Sequence, residues 1–343
     1  MESESDHGES WGSPEGPSTE AQDERGSLMP AEPTPSAVPR IGRRRLLRAL
    51  RTSAYAILAG GLFGGGWFGH TLFQGGSSSS SSHEDKLAAA LLPEKGVALN
   101  VRWGDLLQRL VQEGVIDLEK FKAAAQASGS PLTPDQLKIL SEGSDELIRI
   151  DAGNAYFALD VLWALALANK NTILTEGPMA QLGWSRAGGY ASTGGWTIGA
   201  KPGPQYLATL ELIRLTPQQQ AVVEEVAYNS YRPCCGNMTA FPDCNHGMAA
   251  LGLAQIMASQ GASTDEIFQM LKKVSPFWFP DQYRDLALYF EGQNQKWEKV
   301  DPRLVMGKDY SSASGWQKVN AWVQQQGAAG GGSGGSQGGA CAP

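Results

Sequence analysis

Cysteine and histidine are scarce in this chain, with four of each among 343 residues. Four cysteines cannot staple a chain this long, so its core does not rest on a disulfide framework. Charge is thin as well. Only 18% of residues are Asp, Glu, Lys or Arg, and the net charge is −7. An acidic balance lacks the basic face that nucleic-acid binding requires, so no nucleic-acid partner is expected. No Gly-Lys-Ser/Thr closes a glycine-rich loop, which removes the P-loop. Between Asp85 and Gln326 there is no Gly-x-Ser-x-Gly elbow for a serine hydrolase, and no internal repeat.

What is present divides the chain unevenly. Residues 1–39 are rich in Glu, Ser, Pro and Gly with almost no large apolar side chains, and read as a disordered tail. Residues 40–74 hold a basic flank (Arg40, Arg43, Arg44, Arg45, Arg48, Arg51) and an apolar stretch, Ala54 to Phe73, free of Asp, Glu, Lys and Arg. Twenty residues at about 1.5 Å each just cover a hydrocarbon core of about 30 Å. The spacing predicts one N-terminal transmembrane helix. The arginines precede it and Glu84 and Asp85 follow it, so the positive-inside rule predicts a single-pass cell-membrane protein with its main domain extracytoplasmic. No Ala-x-Ala cleavage site follows Phe73, which favours an uncleaved anchor. The run Arg43-Arg44-Arg45-Leu46-Leu47-Arg48 also resembles a twin-arginine export signal, with Gly42 where such signals carry Ser or Thr. Residues 75–84 read as a Gly/Ser linker, and residues 327–343 as a Gly-rich flexible tail.

Residues 85–326 remain, roughly 240 in all, enough for one sizeable core. Their periodicity is helical. Leu106, Leu107, Leu110 and Val111 predict a helix over 103–113, and Asp117 opens another to Ala127. Thr133-Pro134 and Thr216-Pro217 are cap-plus-proline starts. Asn154 to Asn169 is the most apolar segment and is expected at the centre. Leu147 to Ile150 is expected as a short strand, and Pro276 to Pro280 as an aromatic turn. From Gly177 to Pro204 the chain loses periodicity but carries Trp184, Tyr190 and Trp196. A loop this long is a lid, a binding loop or disordered, and its aromatics make it a candidate surface for a protein partner. The fold class expected is mostly α: a single helical domain with a long irregular aromatic and glycine-rich loop, preceded by the membrane helix.

One segment carries soft ligands: Tyr231-Arg-Pro-Cys-Cys-Gly-Asn-Met-Thr-Ala-Phe-Pro-Asp-Cys-Asn-His-Gly247. Cys234, Cys235, Cys244 and His246 fall between two helical stretches, and His246 is the only imidazole of the predicted domain. Thiolate and imidazole suit zinc, copper and Fe–S centres. A turn can aim Cys244 and His246 at one point, and the loop from Cys235 folds back easily. A following helix that begins between Asp243 and Asn245 would favour the Cys244 thiolate, with Asp243 or Asn245 as its cap. The spacing fits no standard template, neither paired Cys-x2-Cys units nor Cys-x-x-Cys-His. Three readings stand open. The four residues hold a transition metal or Fe–S cluster for electron transfer, metal handling or a metal-dependent reaction. Alternatively, Cys234 and Cys235 form a redox pair with His246 as proton carrier. Lastly, Cys235 and Cys244 form a disulfide that braces a partner-binding module. Arg232 and Tyr231 flank the cysteines and are candidates to tune the site. Tyr-Arg-Pro-Cys-Cys through Phe-Pro-Asp-Cys-Asn-His-Gly resembles a signature of an uncharacterised family of membrane-anchored prokaryotic proteins; the resemblance implies no activity.

Overall fold

A computed structural model describes residues 80–329. The expected tail, the arginine-rich flank, the apolar segment Ala54 to Phe73, most of the Gly/Ser linker and Cys341 lie outside the described residues. Among the described residues no helix is long and apolar enough to cross a membrane.

The domain is mostly helical with one two-stranded sheet. Numbering the helices of seven residues or more, the order is α1 (Ser80–Leu91), β1 (Val97–Gly104), α2 (Leu106–Gln112), α3 (Leu118–Ala127), α4 (Pro134–Glu142), β2 (Ser144–Ile150) and α5 (Ala155–Ala168). After a long connection come α6 (Pro217–Asn229), α7 (Asn245–Ser259), α8 (Thr264–Trp278), α9 (Pro280–Gly292) and α10 (Ala313–Ala329). Helix α1 starts inside the stretch read as linker, and α10 runs slightly into the stretch read as tail.

The centre is the pair α5 and α7, which share the largest helix–helix interface. Helix α5 is buried from Ala155 to Ala168 except at Tyr156. A helix apolar all round can only lie in a core. Helix α7 meets it with small residues, and at Gly252 the two backbones touch: a Cβ there would lie 2.2 Å from the Leu162 carbonyl oxygen. One polar pair marks the lower end of this interface. Asn169 donates to Gln255 Oε1 (2.8 Å) and accepts from the Leu212 and Ile213 amides (2.9 and 2.8 Å). This buried amide therefore fixes the return of the long connection.

Local starts follow the sequence. Thr133, Thr216 and Ser263 each form reciprocal capping boxes, with Gln136, Gln219 and Glu266. Two expectations need correction. Trp103 belongs to β1, which pairs antiparallel with β2 from Val97↔Ile150 to Gly104↔Ser144, so the helix after it begins only at Leu106. The segment from Pro276 is not a turn: α8 continues through Pro276 and Phe277 to Trp278 and breaks at Phe279, just before Pro280 opens α9.

The connection from Gly177 to Pro204 is irregular apart from single helical turns. It is nonetheless packed into the domain. Trp196 is buried, donates from Nε1 to the Val115 carbonyl (2.9 Å) and meets Trp163 edge-on at 4.8 Å. Trp163 Nε1 in turn donates to the Ser192 carbonyl (2.6 Å). Two indole N–H groups thus pin the loop to the core it covers.

A cysteine and histidine cluster at the start of helix α7

Helix α6 delivers the chain to Ser230, and α7 takes it up again at Asn245. Between them the segment 230–244 folds back on itself. Tyr231 and Met238 form an antiparallel bridge, the Thr239 amide donates to the Ser230 carbonyl (2.8 Å), and the Ala240 amide to that of Ala227 (2.8 Å). Three outside elements hold the loop: the Tyr231 amide donates to Met306, the Ala313 amide to Cys235, and the Ser192 amide to Asp243.

Arg232 organises the interior. Its side chain is 4% exposed, and its donors are spent on the loop around it. Nη1 reaches the carbonyls of Asn237 and Met238 (3.1 and 2.9 Å). Nη2 reaches the Phe241 carbonyl (3.0 Å) and pairs with Asp243 Oδ1. Nε donates to Cys244 Sγ (3.1 Å). Asp243 Oδ2 accepts from Asn237 (2.8 Å). A buried guanidinium is tolerable only when its fork is filled in this way. Gly247 makes room for it, since a Cβ at 247 would lie 2.3 Å from Arg232 Cζ.

Cys244 itself is the N-cap of α7, and its Sγ accepts from the Gly247 amide (3.4 Å). Neither expected cap serves. Asp243 is taken by Arg232 and Asn237, and Asn245 Oδ1 accepts from the His246 amide (2.9 Å). Cys244 Sγ is therefore the hub. Cys234 Sγ lies 3.4 Å from it. The donor atoms of Cys234, Cys244 and His246 all fall within 4.8 Å of one another; so do those of Cys235, Asp243 and Cys244. Cys235 does not join the first set. Its Sγ points to Asp243 Oδ1 (3.5 Å) and the Asn237 carbonyl (3.9 Å). The four residues singled out in the sequence thus form two overlapping triads that share Cys244. His246 packs its ring on Phe279, centroids 4.4 Å apart.

The electrostatics separate the three thiols. Hydrogen bonds from Cys234 and Cys235 hold Cys244 well below the ordinary thiol range; burial opposes them, and Arg232 and His246 add to them. Cys234 is pushed far up, by its bonds to Cys235 and Cys244 and by burial. Cys235 rises to about 12: the bond with Cys234 lowers it, but the bond to Cys244 and burial outweigh that. Burial would lower the Arg232 pKa, yet the surrounding cysteines and Asp243 raise it. Of the three thiols Cys244 is thus the most acidic, and it sits beside the Arg232 cation.

Sequence reasoning found the cysteines and His246 and named Arg232 as a candidate tuner. It missed Asp243 as the partner of Arg232, and it missed Gly247. The available signal was Gly at the third position of an apolar helix, where alanine is the ordinary choice.

No family model matches the chain, and neither does any curated protein or solved structure.

Proposed function

We propose that this protein binds a single soft or borderline transition-metal ion, zinc or copper, through Cys234, Cys244 and His246. One observation carries the reading: two sulfurs and an imidazole nitrogen meet within 4.8 Å. Metal–sulfur bonds of about 2.3 Å at tetrahedral angles put two ligand sulfurs about 3.8 Å apart, and the two sulfurs here are 3.4 Å apart. Ligands of an iron–sulfur cluster are distributed over separate irons, so donors aimed at one point support a single ion. Three protein donors leave a fourth position for water or substrate, the arrangement of catalytic rather than structural zinc. Cys244 supplies a ready thiolate, Cys234 gives up its proton on binding, and Arg232 offsets the added negative charge. The site therefore suits metal handling or a metal-dependent reaction.

Elemental analysis of the purified full chain tests this. One equivalent of metal is expected, retained in Cys235→Ser and lost in Cys244→Ser and His246→Ala. Cobalt substitution should give sulfur-to-cobalt charge-transfer absorption. A metal-free chain, or metal that survives both ligand substitutions, would refute the reading.

The arginine-flanked apolar segment Ala54 to Phe73 supports a single-pass membrane tether with the site on the extracytoplasmic side. Labelling intact cells with a membrane-impermeant thiol reagent should mark this domain; labelling only after lysis would place it on the other side.

A further inference from the structure

We propose that Cys234 and Cys244 form a reversible disulfide, with Cys244 as the attacking sulfur, Cys234 as the resolving one and Cys235 excluded. Neither pairing read from the sequence is this one. The sulfurs of Cys234 and Cys244 lie 3.4 Å apart, and bond formation needs a closure of about 1.4 Å to reach the usual S–S length of about 2.05 Å. Side-chain rotation on a loop supplies a movement of that size.

The surroundings assign the roles. Cys244 Sγ accepts from Arg232 Nε and from the Gly247 amide at the first turn of α7. Two N–H donors thus converge on the Cys244 sulfur, whereas none among the described residues reaches the Cys234 sulfur, which contacts that of Cys244, so the attack is assigned to Cys244. Cys235 is less well placed: its carbonyl is fixed by the Ala313 amide (2.9 Å), its thiol is directed at Asp243 and Asn237, and its sulfur, though within 4.8 Å of that of Cys244, does not make the 3.4 Å contact that Cys234 makes. None of the three cysteines is fully buried as a residue, and the reaction requires that a small oxidant reach the Cys244 sulfur.

With a hydroperoxide as oxidant the step balances. The Cys244 sulfur attacks the terminal peroxide oxygen, and the O–O bond breaks. The sulfur becomes a sulfenic acid, and the leaving alkoxide or hydroxide takes up a proton. The Cys234 sulfur then attacks the Cys244 sulfur; the S–S bond forms, the S–O bond breaks, and the hydroxyl leaves as water with the Cys234 proton. Two thiols are oxidised by two electrons and the peroxide is reduced. A dithiol reductant reverses the bond by exchange. A further consequence rests on the metal reading above. The same two sulfurs cannot serve both an ion and each other, so oxidation leaves only His246 and releases the ion.

The test uses the full chain in detergent, reduced, both metal-free and zinc-loaded, with one equivalent of hydrogen peroxide. In the metal-free chain the thiol count is expected to fall from four to two. The same loss of two thiols is expected in Cys235→Ser, and peptide mapping there should join residues 234 and 244. Cys234→Ser should form no such crosslink and accumulate oxidised Cys244. In the loaded chain one equivalent of zinc should appear in a chromogenic chelator at the rate of thiol loss, and a dithiol should restore binding. A bond through Cys235 or Cys341, or Cys244 left as the sulfenic acid in the wild type without a crosslink, overturns the proposal. Should the chain bind no zinc, the metal reading falls alone, because the metal-free arm still decides the disulfide.

Discussion

Replacing Gly247 by alanine sets two opposed effects against each other, and the structure decides which wins. Gly247 lies in the first turn of α7, where alanine would ordinarily stabilise by about 1 kcal/mol through helix propensity. Here the new Cβ would lie 2.3 Å from Cζ, 2.5 Å from Nη2 and 2.6 Å from Nε of Arg232. The guanidinium has to move by roughly 1 Å to reach ordinary contact distance, since overpacking is relieved only by displacement. It cannot move freely, because its N–H groups bind three carbonyls, Asp243 and Cys244. Overpacking costs about 1–3 kcal/mol, and a weakened charge-assisted bond adds about 1.5–3 kcal/mol. Against the helix gain the net is a destabilisation of about 1.5–5 kcal/mol. Urea unfolding, read as a change in midpoint at constant slope, measures it. Gly236→Ala, in the loop that precedes α7, is the control. A Cβ there meets nothing within 4 Å, so its change should stay within about 0.5 kcal/mol. If Gly247→Ala matches that control or stabilises the protein, Arg232 is not held as described and the account of the cluster fails. On the metal-binding proposal the variant should also lose metal affinity, because the displaced guanidinium no longer holds Cys244.

Two other perturbations probe the frame around the site. Asp160 is buried on α5, and burial pushes its carboxyl from 3.8 up to about 7 against a weaker opposing hydrogen bond from Tyr156. The native state therefore holds a proton that the unfolded state releases, so stability is greatest below about pH 4 and is lost as pH rises to about 7, by an amount on the order of 4 kcal/mol. Asp160→Asn should match the wild type in acid and exceed it at pH 8; equal urea midpoints at both pH values would refute this. Trp196→Phe keeps most of the buried surface but leaves the Val115 carbonyl without its donor, and should cost about 1–3 kcal/mol. It should also expose the connection 177–204 to limited proteolysis, whereas an unchanged cleavage pattern would mean that the loop is not pinned there.

The parts of this fold that were legible in the sequence are those where one local rule acts alone. Thr133 and Thr216 announce helix starts because the cap, the proline and the returning Gln sit within four residues. Helix α5 is legible as central because only burial tolerates so apolar a surface. Trp103 was misplaced because the strand that holds it is defined by a partner some forty residues away, and no local pattern carries that pairing. Pro276 read as a stop because a proline removes one hydrogen bond from a helix; the apolar packing of Phe277 and its neighbours on α8 outweighs that loss. The cluster shows the same limit more sharply. Residue types are local and were visible, but their grouping depends on where Arg232 points. Its five N–H groups can be filled only by a loop that curls around it, and that curl turns Cys235 toward Asp243 while leaving Cys234 and His246 beside Cys244. A buried cation with no partner in its own helix or strand therefore decides which sulfurs meet. Four residues that the sequence offers as one set become two triads with a shared sulfur, and the chemistry open to each thiol follows from that division.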